Sequence, residues 1–112
     1  MGRKDRPETP DGRYFVARGR LWRKTDPSLS DVERRAAIKA LMRARIALRA
    51  AQDDGARREA KSAVVAAKTR LGESGPVWWA DGAPDEQGMT PPESRYFGWW
   101  DALSEYERLK GL

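Results

Sequence analysis

The apolar positions of this chain are most regular between Ser30 and Gly72, where they recur at the alternating four- and three-residue spacing of paired helices. The first row comprises Ala37, Leu41, Ala44, Leu48 and Ala51. The second comprises Ala60, Val64, Ala67 and Leu71. Because only a short Asp53-Asp54-Gly55 stretch separates the rows, the pattern predicts an antiparallel helical hairpin with these rows forming its seam.

The boundaries of the two helices are also indicated locally. Ser30 followed three residues later by Glu33 is the arrangement of a capping box, so the first helix should begin at about Asp31. Gly55 is predicted to end that helix in a left-handed conformation, and Gly72 to end the second one.

The first helix carries a second apolar stripe outside the seam, formed by Ile38, Met42 and Ile46. The cations interleaved with it are Arg35, Lys39, Arg43, Arg45 and Arg49. A hairpin of this length buries too little surface to fold alone. We therefore expect the flanking segments, which hold nearly all the aromatic residues, to cover the stripe.

Before the helices, the stretch from Tyr14 to Arg23 is rich in residues that favour strands. A two-residue turn at Arg18-Gly19 would create favourable cross-strand pairs. These pairs are Val16 with Leu21 and Phe15 with Trp22. The pattern predicts a β-hairpin, and one long strand bent at Gly19 remains the alternative.

Two elements are predicted after the helices. Val77-Trp78-Trp79 has the character of a short strand that joins the hairpin in one antiparallel sheet. Thr90-Pro91-Pro92-Glu93 is a helix start with Pro at the first helical position, and the helix should run to about Lys110. Its apolar face would hold Tyr96, Trp99 or Trp100, Leu103 and Tyr106.

The predicted fold class is therefore α+β: a helical hairpin with a small antiparallel β-sheet (an N-terminal β-hairpin plus a short later strand) and a C-terminal amphipathic helix. Residues 1–10 mix charges with prolines and are expected to be a disordered tail. The 112 residues, 39% of them hydrophobic, suffice for one modest core, so 11–112 is predicted to be a single small domain.

Composition excludes several classes of chemistry. The chain has no cysteine and no histidine, which rules out disulfides, thiol nucleophiles, histidine-based triads and the commonest zinc sites. No cofactor or metal is expected. The charged N-terminal ten residues lack the apolar core of a secretory signal, and no apolar run approaches a membrane span. We therefore expect a cytoplasmic protein without a membrane partner.

The net charge of +5 is unevenly distributed. Residues 12–50 hold eleven Arg or Lys against three Asp or Glu, whereas residues 51–112 hold eight against eleven. A basic first half is compatible with an acidic partner such as nucleic acid. The excess of arginine over lysine is also what a GC-rich coding bias produces.

Two blocks carry a resemblance to known sequences. They are DGRYFVARGRLWR at residues 11–23 and GPVWWADGAPD at residues 75–85. With the Ala- and Arg-rich segment between them, these blocks resemble a family of small uncharacterised bacterial proteins. The resemblance spans about residues 11–85 and implies no activity.

Two groups of residues are candidates for function. The first is a basic, aromatic β-hairpin that could contact nucleic acid through phosphates and stacked bases. Its residues are Arg13, Arg18, Arg20, Trp22, Arg23 and Lys24. The second is a possible interaction surface at Trp78, Trp79, Asp81 and Asp85. The alternatives are a solvated hairpin face for the first group, and core tryptophans beside turn-forming aspartates for the second.

The sequence favours a non-enzymatic protein-interaction or accessory module with an unidentified protein partner. Nucleic-acid binding by the basic N-terminal half is the alternative function. An enzyme would be a third class and would have to rest on Asp81 and Asp85 as paired carboxylates.

Overall fold

The computed structural model describes residues 5–112, and within them the chain is mixed α and β. Two strands, β1 (Tyr14–Ala17) and β2 (Arg20–Arg23), precede two long helices, α1 (Asp31–Ala50) and α2 (Asp54–Arg70). A 3-10 turn (Pro91–Glu93) then leads to two short helices, α3 (Phe97–Ala102) and α4 (Glu105–Leu109).

These elements divide into two compact units. Among the described residues, the terminal unit comprises 5–24 and 81–112, and the helical unit comprises 25–80. The single domain expected over 11–112 stays a prediction.

The predicted helical hairpin is confirmed. Ser30 caps α1 by accepting from the Glu33 N–H, while the Glu33 carboxylate accepts from the Ser30 N–H, so the capping box is complete. Along the seam Ala44 is only 5% exposed, and the core of the unit joins both helices. This core comprises Ala37, Leu41, Ala67 and Leu71. Small alanines let the two backbones approach while the leucines fill the space between them.

The turn between the helices differs from the prediction. Helix α1 ends at Ala50, and Ala51 is already extended, so Gly55 does not end it. Gly55 instead lies in the first turn of α2, whose N-cap is Asp53. The Asp53 carboxylate accepts from the Ala56 N–H at 2.7 Å, and this capping bond starts the second helix earlier than the glycine suggested.

Gly72 ends α2 as predicted. Its φ is +79°, and the Glu73 N–H donates to the Lys68 carbonyl while the Gly72 N–H donates to that of Thr69. These two bonds form a Schellman motif. A Cβ at Gly72 would lie 2.9 Å from both Asp26 Cβ and Trp78 Cδ1, so glycine is also required there by close packing.

The β-hairpin is confirmed and the bent strand is excluded. Strands β1 and β2 are antiparallel, with Val16 opposite Leu21 and Phe15 opposite Trp22. Arg18 and Gly19 have φ of 55° and 75°, the left-handed conformation that a type I′ turn demands at both central residues.

The expected third strand at Val77-Trp78-Trp79 is wrong, because among the described residues the sheet has two strands only. Both outer edges of the hairpin are used by other segments. On the β1 side the Val16 N–H donates to the Pro7 carbonyl, and the Thr9 N–H to that of Tyr14. On the β2 side the Leu21 N–H donates to the Met89 carbonyl, and the Gly88 N–H to that of Leu21.

The β1 contacts also reach into the segment 1–10, for which a disordered tail stays a prediction. Residues 1–4 lie outside the described part, but Pro7 and Thr9 are buried and Glu8 forms a β-bridge with Phe15. Backbone hydrogen bonds thus join the described part of this charged segment to the strand edge, which its side-chain pattern alone does not predict.

The single C-terminal helix predicted up to Lys110 is also wrong. The Thr90 N–H and hydroxyl do donate to the Glu93 carboxylate, but this start leads only into the 3-10 turn. Ser94 is extended and its hydroxyl accepts from the Tyr96 N–H. Ser104 is extended as well and caps α4 by accepting from the Glu107 N–H. Two serines that bond locally thus divide the segment.

In the described part of the chain, no helix is both long and apolar enough to cross a membrane.

The seam predicts a position-specific effect of a larger side chain. Ala44→Leu should lower the free energy of unfolding by about 1 to 3 kcal/mol, because the added methyl groups must separate two closely packed helices. Ala47→Leu on the exposed side of α1 is the matched control and should be nearly neutral. Urea melts of the parent and both variants measure this, and equal midpoints for the two variants would contradict the seam.

Candidate interaction surfaces

The hairpin and the end of the second sequence block meet in the terminal unit. The Arg13 guanidinium donates to the Asp81 carboxylate, and an Arg23 nitrogen lies 3.8 Å from a carboxylate oxygen of Asp85. The Tyr14 hydroxyl accepts from the Glu86 N–H at 2.8 Å. Residues about seventy positions apart in the chain therefore bind one another through charge and hydrogen bonds.

This arrangement changes how the basic hairpin should be interpreted. Arg23 is buried at 3% exposure and Arg13 is half-buried, each beside a carboxylate. Lys24 pairs with Glu8 at 2.7 Å. Of the cations proposed for nucleic-acid contact, Arg18 and Arg20 are the exposed ones, and Arg20 donates to the Gly88 carbonyl.

Trp22 does not stand out from the hairpin as a stacking platform would. Its ring is half-buried, and its Nε1 donates to the Ala17 carbonyl at 2.8 Å. The six proposed contacts therefore do not form one open basic surface.

The second candidate group is divided between the two units. Trp78 and Trp79 are half-buried in the helical unit, where their rings meet edge to face with centroids 5.1 Å apart. Asp81 and Asp85 belong to the terminal unit and are exposed. The hydrogen bond from Arg13 lowers the pKa of Asp81, which therefore remains an ionised partner of arginine.

A partly buried polar cluster in the terminal unit is not predicted by the sequence. The Tyr96 hydroxyl donates to the Asp11 carboxylate at 2.6 Å, and the Thr9 hydroxyl donates to the same carboxylate at 2.7 Å. The Tyr14 and Tyr96 rings pack edge to face at 5.6 Å. Asp11 precedes Gly12, an arrangement that is typical of turns. The neighbouring sequence therefore does not show that the Asp11 carboxylate accepts a hydrogen bond from the distant Tyr96.

Burial opposes ionisation of Asp11, but the hydrogen bonds from Tyr96 and Thr9 outweigh it and lower the pKa of this carboxyl. Burial and the neighbouring Asp11 carboxylate raise the pKa of Tyr96. Tyr96 thus remains a neutral donor at neutral pH, and Asp11 a charged acceptor. In residues 5–112 no three acidic side chains are grouped closely enough to hold a metal ion.

The helical unit presents a different kind of surface. Ile38, Met42 and Ile46 on α1 are 41%, 58% and 56% exposed, so the cover expected over this stripe is not formed within the helical unit. At 100° per residue this row lies about 140° around α1 from the seam. We call the surface formed by this row and four neighbouring cations the α1 outer face. The cations are Arg35, Lys39, Arg45 and Arg49. Within residues 5–112 none of these four cations forms an ion pair or side-chain hydrogen bond.

Exposed apolar side chains also occur at the C-terminal end of the chain. They are Phe97, Tyr106, Leu109 and Leu112. Leu109 and Leu112 line a groove of about 320 Å³ together with Trp100, Glu105 and Arg108. The elements here are short, and Lys110 is 3.6 Å from Glu107, so charge is balanced locally. The α1 outer face is the more distinctive surface, since its charge is not balanced.

Comparison with protein-family models, curated proteins and solved structures finds no match to this chain. Its function is therefore inferred from its own surfaces.

The Asp11 cluster predicts a pH-dependent effect of Tyr96→Phe. The pKa of Asp11 is lower in the folded state than its ordinary value of 3.8. The ionised carboxylate therefore stabilises the fold at pH values above 3.8. This stabilisation is lost as the pH falls through the pKa of Asp11 in the folded state. Removing the Tyr96 hydroxyl should cost about 1 kcal/mol at neutral pH, given the partial exposure of Asp11.

The cost of Tyr96→Phe should shrink well below pH 3.8. Tyr106→Phe, at an exposed tyrosine, is the matched control and should have little effect at either pH. Urea melts at the two pH values measure the difference between parent and variant, and a cost independent of pH would show that the carboxylate is not involved.

Proposed function

We propose that this protein is a non-enzymatic protein-interaction module whose helical unit binds a protein partner through the α1 outer face. The observation that carries the proposal is the exposed row of Ile38, Met42 and Ile46 on a long, regular helix.

The geometry of the row supports a protein partner. Residues four apart form a ridge along a helix, and such ridges pack into the grooves of a neighbouring helix. Helix α1 has one apolar side along the seam, which α2 covers, and a second along the outer face. A helix with two apolar sides is suited to the middle of a three-helix layer. Within the helical unit, α2 is the one helix that packs against α1.

Nucleic-acid binding remains the alternative, and charge is its support. The hairpin contributes less than expected, since Arg13, Arg23 and Lys24 lie beside carboxylates. The cations of α1 could contact phosphates, but this would place the row of Ile38, Met42 and Ile46 against a charged backbone. An apolar row is instead explained by a partner that buries it.

The proposal predicts position-specific crosslinking in the organism that makes the protein. A photoreactive benzoylphenylalanine in place of Met42 should yield one discrete protein adduct, because the side chain lies at the centre of the outer face. The same group in place of Ser62, exposed on α2, should yield none. Gel separation and mass spectrometry identify the adduct.

A pair of variants tests whether the adduct depends on the apolar row. Ile46→Asp should reduce its yield at least about tenfold, since burying an unpaired carboxylate opposes docking. Val65→Asp changes a side chain on α2 with almost the same exposure, 57%, and should leave the yield unchanged. Equal adducts from Met42 and Ser62, or equal yields from the two aspartate variants, would refute the proposal.

A further inference from the structure

We infer that the partner element is an acidic amphipathic helix of another protein, about four turns long. This inference deepens the proposed function and rests on it. The distribution of charge around the exposed row of α1 carries it.

The charge on α1 is one-sided along its length. Between Arg34 and Gln52 the chain has six cations and no carboxylate. The two acids of the helix lie in its first turn and are already used: Asp31 pairs with Arg34 at 2.7 Å, and Glu33 completes the capping box at Ser30. No acidic side chain of α1 is available to neutralise the outer face.

The cations lie on both sides of the apolar row. At 100° per residue, Arg35 and Lys39 fall within about 60° of Met42 on one side, and Arg45 and Arg49 within the same angle on the other. A partner that buries the row must therefore meet positive charge along both of its margins. An apolar stripe bordered by Glu or Asp on each side satisfies both requirements at once.

The length of the face sets the length of the partner. At 1.5 Å per residue the row from Ile38 to Ile46 extends about 12 Å, and the cations from Arg35 to Arg49 extend about 21 Å. A helix of about 14 residues covers this distance. It would pack by the same ridge-and-groove fit that joins α1 to α2.

A second copy of this chain does not fit the requirement. Pairing two α1 outer faces about a two-fold axis would bring like charges together. The acidic end of the chain, 81–112, offers helices of only six and five residues in its described structure. The two long helices, α1 and α2, carry more cations than acids. The partner is therefore a different protein.

A membrane surface is disfavoured by the composition of the face. Helices that lie in a bilayer interface bury a wide apolar face that commonly includes Trp, Phe and Leu. The α1 outer face has three apolar side chains in a single row and no aromatic residue. A single partner helix is wide enough to bury this narrow row, which is bordered by cations.

The test uses the full chain and two synthetic helical peptides of 18 residues. Both carry the same leucine stripe at helical spacing and are held helical by a hydrocarbon staple on the opposite side. One has Glu at the stripe margins, and the other has Lys. Fluorescence anisotropy at about 50 mM salt should show the Glu peptide binding at least about tenfold more tightly, with the difference shrinking at about 500 mM salt.

Two variants establish where the peptide binds. Arg35→Glu combined with Arg45→Glu should reverse the preference, so that the Lys peptide binds more tightly. Ile46→Asp should weaken both peptides at least about tenfold, whereas Val65→Asp should weaken neither. These four positions are exposed, so the variants should melt close to the parent in urea.

Other outcomes would overturn the inference. Equal affinity for the two peptides would refute an acidic partner while leaving the outer face as a helix-binding surface. No binding of either peptide would refute this partner class, and crosslinking from Met42 would then decide the proposed function independently. Two further probes are a 20-nucleotide single strand and phosphatidylglycerol vesicles. If one of them binds more tightly than the Glu peptide, and Ile46→Asp abolishes that binding, the face is assigned to nucleic acid or to a membrane instead.

Discussion

Close approach of two helix backbones along alanines is the constraint on which the helical unit depends. Ala37 and Ala67 are each 2% exposed, and their small side chains place α1 and α2 near enough for Leu41 and Leu71 to complete a core. A seam built this way uses only one side of α1. The other side keeps its isoleucines, methionine and arginines in contact with solvent, and the same narrow seam thus creates the surface to which we assign function.

The terminal unit is held together by a different principle. Its buried residues include Thr9, Arg23, Glu86 and Ser94 beside two tyrosines, and much of its cohesion comes from specific hydrogen bonds and ion pairs. Such groups stabilise a fold only when their partners are in place, because an unmatched buried polar group is costly. This unit therefore combines polar pairing with a small apolar core, whereas the helical unit depends on the shape fit of apolar side chains.

The features that the sequence predicts correctly are those that depend on residues close together in the chain. The capping box at Ser30, the helical seam and the Arg18-Gly19 turn depend on residues a few positions apart, and all three are present in the structure. The end of the helical conformation at Ser104 also depends on neighbouring residues. A serine within an apolar-periodic run does not by itself indicate whether its hydroxyl will cap a new helix, as Ser104 does for α4.

The errors at longer range have another cause. Val77 to Trp79 has the composition of a strand, yet the edges of the hairpin are taken by Pro7 to Thr9 and by Gly88 and Met89, whose side chains carry no strand pattern. The pairing of Arg13 with Asp81 joins residues 68 positions apart, and the residues next to either one indicate only a surface charge or a turn. The pattern indicates that the apolar stripe on α1 needs a cover, but it cannot show that Ile38, Met42 and Ile46 stay exposed.

The occupied edges of the β-hairpin have a consequence for the behaviour of the chain in crowded solution. A two-stranded ribbon usually presents two rows of unsatisfied backbone groups, which are templates for the strand-to-strand growth that leads to aggregates. Here the segments around Pro7 and Met89 bond to β1 and β2 from outside and occupy those positions. Both are irregular, and Pro7 lacks an N–H with which to recruit a further strand. The chain thus shields the edges of its β-hairpin with its own flanking segments.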